Sequence, residues 1–175
     1  MTPVRIPCLP PDAAAFAPYG SFVTPPANYG ERAFFSEHIG GVGDGIAPVL
    51  HVNKVRAAKL PLDIVQVERH PRAGQVFLPL DVSRYLVVVM PSDAAGDPLP
   101  EEALAFLVPG NRGVVYHTNV WHAGAAVLDR PGNFAVLMWR CGDDGDDDFR
   151  SIPHLVVEPP AASRPFAHSL TETDR

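Results

Sequence analysis

The sequence predicts an all-β fold: a closed double-sheet barrel carrying one or two short helices. Twenty prolines and 14 glycines among 175 residues disfavour a helical bundle and suit short strands joined by turns. Several stretches alternate with the strand period of two, most clearly over residues 47–56 and 62–70. Such stretches number about nine or ten, and closing them into a barrel removes the edges that so many strands would otherwise expose.

Residues 4–6 read as a first strand. Asp12 then caps a short helix over residues 13–16, which stops before Pro18 and Gly20. Strands are expected at 21–24 and 33–38, followed by a flexible turn at 40–45. That turn is not a phosphate loop, because no Lys-Ser/Thr follows its glycines. From Ala47 onward, Val49, His51, Asn53 and Val55 fall on one face, and Leu50, Val52, Lys54 and Arg56 on the other. Neither face is wholly apolar, as in a barrel wall. In LDIVQVERH, Leu62, Ile64, Gln66, Glu68 and His70 share a face, so Glu68 and His70 point the same way.

After the Gly74 turn, residues 75–78 resume extended structure. Residues 84–90 are the most apolar strand, and Val87-Val88-Val89 implies burial on both faces. Pro100 opens a helical turn with Glu101 and Glu102 at its positive end, and a strand at 105–108 follows. Residues 124–128 and 133–141 read as an antiparallel hairpin around Asp129-Arg130-Pro131-Gly132. The acidic run 143–148 lacks EF-hand spacing and reads as a solvated loop. One barrel domain is expected over 1–158, with a tail at 159–175 trailing over the surface or a partner subunit.

Fourteen Lys and Arg against 20 Asp and Glu leave a net charge of −6 with no long basic run, which argues against nucleic-acid or anionic-membrane partners. The amino terminus lacks an apolar signal core, and the longest apolar run is too short to span a bilayer. A soluble cytoplasmic protein acting on small molecules is the expectation. Cys8 and Cys141 stand far apart without a CxxC or Cys/His cluster, so buried free thiols are expected.

The chemistry concentrates in LVPGNRGVVYHTNVWH, residues 107–122. Strand period places His117 and His122 on opposite faces, so either the chain bends between them or only one enters a site. Glu68, His70, Gln75, His117 and His122 form a polar set on otherwise apolar strands. Imidazoles with a carboxylate suit nickel, iron, zinc or manganese; without a metal, an imidazole titrating near neutrality serves as general base or acid. The residue types leave both readings open.

The stretches VERHPRAGQVFLPL, GVVYHTNVWH and AAAFAPYGSFV resemble the ureidoglycolate lyase family of the cupin superfamily, over residues 4–158. The resemblance implies a cupin-type jelly-roll barrel, usually a homodimer, that releases urea from (S)-ureidoglycolate to give glyoxylate in allantoin and purine nitrogen catabolism. It also implies nickel as cofactor. The metal-binding cupin motifs, HxHxxxE and PxGxxHxxxN, are only partly present: His70 and Gln75 stand for the first, and Pro109 and His117 for the second, with Trp121 four residues on. A bound metal would then take His70, His117 and an oxygen of Glu68 or Gln75. His70, His117 and His122 are the catalytic candidates, with the roles of base and acid open between His117 and His70. Gln75 and Asn53 are candidate substrate contacts. The substrate carboxylate needs a cation, and Arg140 is the candidate, its competing reading being a rim ion pair with the acidic loop. Two other function classes fit a cupin: a metal-dependent oxygenase or isomerase, and a non-catalytic binder of small acids.

Overall fold

The structure, a computed structural model, describes residues 2–39 and 45–160. The strands are β1 (Val4–Leu9), β2 (Gly20–Val23), β3 (Ala47–Val55), β4 (Ala57–Ala58), β5 (Leu62–Arg69), β6 (Gln75–Pro79) and β7 (Arg84–Met90), then β8 (Leu104–Pro109), β9 (Gly113–Tyr116), β10 (Trp121–His122), β11 (Ala126–Leu128), β12 (Gly132–Arg140) and β13 (Asp148–Glu158). One helix, α1 (Ala13–Phe16), and 3-10 turns at Ser36–His38 and Pro100–Glu102 complete the described chain. The expected all-β double-sheet barrel of jelly-roll type is observed.

One sheet runs β10-β5-β13-β1-β8-β7-β11-β4, and because β10 also pairs with β7 it closes into a ring. The second sheet, β2-β9-β6-β12-β3, stays open and packs over the ring. Two cores result. Ile6, Cys8, Val67, Val88, Trp121 and Leu155 fill the ring, while Phe16, Val87, Phe106, Val114 and Phe134 fill the space between ring and open sheet. Strand β7 serves both: Leu86, Val88 and Met90 enter the first, and Tyr85, Val87 and Val89 the second. The run Val87-Val88-Val89 is therefore buried on both faces, as its lack of alternation predicted. Each such side chain contributes about 1.5 to 3 kcal/mol by leaving water.

Asp12 caps α1 as expected, its carboxylate accepting the N–H groups of Ala14 and Ala15 at 2.9 and 3.1 Å. Cys8 is buried as expected, but Cys141 is exposed just past the end of β12, and four further expectations are corrected. Residues 33–35 are irregular and the expected strand at 33–38 is replaced by a 3-10 turn over Ser36–His38, whose His38 contacts His117. Strands β11 and β12 do not form a hairpin: β11 pairs with β7 and β4, and β12 with β6 and β3, so residues 129–131 cross between sheets. Asp129 takes a left-handed φ of 68° at that crossing, and its carboxylate is held by Arg84 at 2.8 Å and Ser83 at 3.1 Å. In β5, Ile64 and Val67 both enter the ring core, so alternation slips where β13 bulges between Ser151 and Leu155. Strand β3 is an open edge with exposed residues along most of its length. Of the expected glycine turn, residues 40–44 lie outside the described residues, as do residues 161–175 of the tail.

The turn from β8 to β9 depends on Gly110, where an added Cβ would lie 1.7 Å from the backbone oxygen of Val82. Backbone cannot yield there as a flexible side chain would, and overpacking of this kind costs about 1 to 3 kcal/mol. Gly110→Ala is therefore expected to lower the unfolding free energy by that amount, read as a lower urea midpoint at an unchanged m-value; an unchanged midpoint would show that the turn relaxes freely.

Candidate functional site

Two rows of side chains face each other between ring and open sheet. On the ring, the ladder pairs Glu68 with His122 and His122 with Val89. Since Val89 belongs to the inter-sheet core, residues directly opposite it point the same way, and His122 enters that space while Trp121 enters the ring. On the open sheet, Gln75 pairs with Tyr116 and Met138. The rows meet at His122, whose ring stacks on Tyr116 at 4.2 Å between centroids and whose Nε2 lies 3.1 Å from Gln75 Oε1 and 3.5 Å from Glu68 Oε1. His70, just past the end of β5, lies beside it with ring centroids 5.3 Å apart.

The chain does bend between the two histidines of residues 107–122, and only His122 enters this group. Tyr116 points inward at the end of β9, so the next residue, His117, turns away, and a turn with Asn119 at φ 68° then reverses the chain. Asn119 N–H donates to His70 O at 2.8 Å, which fastens that turn to the site. His117 instead stacks on His38, with His38 Nδ1 and His117 Nε2 3.1 Å apart. The group expected around His117 thus assembles around His122.

Both imidazoles are buried and held by their Nδ1 atoms. His122 Nδ1 lies 2.9 Å from Val120 O. His70 Nδ1 lies 2.9 Å from an Asp147 carboxylate oxygen and 3.3 Å from Asp146 O. With Nδ1–H donating outward, each Nε2 is left as a lone pair facing inward. His70 Nε2 is buried and has no hydrogen-bond partner. One donor atom from each of Glu68, His70 and His122 lies within 4.8 Å of the other two. Lone pairs therefore converge beside Gln75, and such a set is satisfied by a metal ion, by a proton on His122 Nε2, or by the Gln75 amide turned to present its NH2. The residues fit a metal, through one carboxylate and two oriented neutral imidazoles.

Electrostatics keep His70 available. Burial, then the neighbouring His122, pushes its pKa below the ordinary 6.5, against the opposing pull of Glu68 and the Asp146 and Asp147 contacts. Burial pushes the Glu68 carboxyl up, but the hydrogen bond and charge of His122, with His70 and Arg140, outweigh it and hold the carboxyl below its ordinary value. Burial keeps the Tyr116 phenol protonated.

Asp147 was not anticipated as a site residue, since the acidic run reads as solvated. In the structure Asp146 is buried and accepts the N–H groups of Cys141 and Gly142 at 3.0 and 2.8 Å, folding the run back onto the site. Asp147 then bridges His70 and the Arg140 guanidinium. Arg140 Nε is buried without a partner. The detectable signal was the short return from Arg140 to several carboxylates. Asn53 lies across a cavity of about 540 Å³ that is also lined by Arg56, Glu68 and Gln75. A cavity of about 530 Å³ beside Phe34 and Leu78 brings no imidazole together.

Over residues 4–156 the sequence matches the family described as Ureidoglycolate lyase. The chain belongs to the ureidoglycolate lyase family. A relative in Agrobacterium fabrum is 37% identical over 139 residues, 78% of this chain and 84% of its own. Proteins named Ureidoglycolate lyase from Burkholderia cepacia and Burkholderia mallei are 36% and 32% identical, covering 70% and 82% of this chain and 73% and 86% of theirs. The family match spans every strand that contributes to the His122 group.

The lowered pKa of His70 has a signed consequence. Below the ordinary value of 6.5 an unfolded chain binds a proton that the folded chain resists, so stability falls as pH drops from there and levels off once the folded imidazole also titrates. Urea midpoints taken from about pH 7.5 to about 5 should fall more steeply for the native chain than for His70→Phe. Parallel curves would mean that His70 titrates alike in the folded and unfolded chains.

Proposed function

We infer that this chain releases urea from ureidoglycolate to give glyoxylate, and that the Glu68, His70, Gln75 and His122 group carries the reaction. The family match and the relatives' names support the reaction. The observation that supports the site is the convergence of two oriented imidazoles on one acid, beside a cavity of substrate size.

The carbon that bears the ureido group also carries a hydroxyl. His70, held neutral with a free Nε2, accepts the hydroxyl proton; the oxygen's electrons form the carbonyl and the C–N bond breaks. His122, protonated at Nε2 between the oxygens of Gln75 and Glu68, returns a proton to the departing urea nitrogen. Two imidazoles, one as base and one as acid, then serve in one pocket. Asp147 fixes the tautomer of His70, and Arg140 holds Asp147 in place.

A second reading is favoured by the same triad: Glu68, His70 and His122 would hold a divalent ion, with nickel the candidate from the family resemblance. Such an ion would supply Lewis acidity to the substrate hydroxyl. His70 and His122 would then orient substrate rather than exchange protons with it. No observation favours an oxygenase or isomerase, or a non-catalytic binder.

We further infer a cytoplasmic homodimer serving allantoin and purine nitrogen use. Support for self-association comes from the outer face of the open sheet, where Leu50 is 70% and Val52 61% exposed, with Leu78 exposed on the same face. Among the described residues no helix is long and apolar enough to cross a membrane.

Purified protein incubated with ureidoglycolate, after chelation and after nickel addition, is expected to release urea and glyoxylate in equal amounts. Turnover that survives chelation supports the imidazole pair, and turnover that requires nickel supports the triad as ligands. His122→Ala should lose about 10²- to 10⁴-fold in kcat, the range for a general acid or base, while His117→Ala loses much less. A larger loss in His117→Ala would move the chemistry to the His38 and His117 pair. Asp147→Asn should cost about 10- to 100-fold, as loss of an orienting carboxylate does.

A further inference from the structure

Ureidoglycolate carries a carboxylate, and a buried or half-buried carboxylate requires a cation or converging N–H donors. Several guanidinium groups around the site are already engaged: Arg140 with Asp147, Arg69 and Arg150 with Asp148, and Arg72 with Asp143. The cavity over Glu68 and Gln75 is lined by two cations, Lys54 and Arg56. Their neighbours distinguish them, since Lys54 has a carboxylate beside it. Lys54 pairs with Asn133 on the outer face of the open sheet, where Asp81, bound by Asn133, lies beside it.

Arg56 follows the last residue of β3, at the corner where the chain leaves the open sheet for β4 in the ring sheet. It is exposed and, among the described residues, makes no ion pair or hydrogen bond. Asn53, three residues earlier, pairs with Phe134, whose ring belongs to the inter-sheet core, so the Asn53 side chain lies on the side of β3 that faces the cavity. An open sheet edge thus brings an uncommitted guanidinium and an amide to the wall across from Glu68.

We propose that Arg56, with Asn53 beside it, is the subsite for the carboxylate of a small α-hydroxy or α-oxo acid. This rests on the ureidoglycolate reading of the same cavity. A planar guanidinium offers two parallel N–H donors, matching the two oxygens of a carboxylate. Asn53 is placed to accept from the hydroxyl or ureido N–H groups, so the two residues together favour a 2-substituted acid over a bare anion.

The test compares Arg56→Ala, Arg56→Lys and Arg140→Ala with the native protein, each checked for an unchanged melting temperature. In urea-release kinetics Arg56→Ala should raise KM about ten- to 150-fold, the loss of one charged hydrogen bond, and leave kcat nearly unchanged. Glyoxylate inhibition should weaken in parallel, and Arg56→Lys should recover part of both. Calorimetric titration with glyoxylate separates this proposal from the reaction itself. If the native protein releases no urea yet binds glyoxylate, and Arg56→Ala does not, the reaction is wrong and the subsite stands. Unchanged KM and glyoxylate affinity in Arg56→Ala, the same losses appearing in Arg140→Ala instead, or no glyoxylate binding by the native protein would overturn the proposal.

Discussion

Burial of β7 on both faces is the constraint on which this architecture depends. A strand with one solvated face would support a single core, but β7 sends Leu86, Val88 and Met90 into the ring and Tyr85, Val87 and Val89 toward the open sheet. Whatever pairs with β7 inherits that division. Strand β10 is only two residues long, yet pairing with Met90 and Val89 is enough to commit Trp121 to one core and His122 to the other. A one-residue slip would exchange them, placing an indole among the polar groups and an imidazole within the ring. Hydrophobic burial along β7 thereby fixes the direction of a polar side chain that contributes nothing to that burial.

An imidazole placed in this way must then be satisfied. At its far end the inter-sheet space is closed by stacked and edge-on aromatics, with Phe16, Phe22 and Phe106 in mutual contact. At the near end it holds Tyr116, His122, Gln75 and Glu68. The ladder supplies Val120 O to one nitrogen of His122 and oxygen acceptors to the other. A proton and a metal ion satisfy that arrangement equally well in charge, but both cannot occupy the same Nε2 lone pair. A proton on His122 Nε2 and metal ligation by His122 therefore exclude one another.

How legible this was in the sequence varied with the range of the interaction responsible. Local signals were readable: the Asp12 cap, the double burial of residues 87–89, and the pairing of Glu68 with His70 in one site. The two histidines of residues 107–122 were correctly recognised as unable to share a face, but the residues alone did not say which would turn inward. That choice is made by the pairing of β10 with β7, a contact distant in sequence. The 124–128 and 133–141 hairpin failed for a related reason. Its turn residues are good ones, but each strand finds a better partner in a different sheet. Asp147 was hidden because a run of acids is ordinarily solvated, and only the burial of Asp146 draws this one inward.

The two loops that frame the site are secured in different ways. The return from β12 to β13 is fastened by Asp146 to backbone N–H groups, by Arg72 to Asp143 and by Arg140 to Asp147. These contacts fix the direction in which His70 presents its Nε2 lone pair. Opposite lies β3, an edge strand with an exposed inner face. Covering that edge with another strand would have stabilised the sheet and closed the cavity over Glu68 and Gln75. The fold instead concentrates its apolar burial in the two cores and leaves the edge open beside the cavity over Glu68 and Gln75. A fastened loop on one wall and an open edge across from it are then consequences of one arrangement, an open sheet laid over a closed ring.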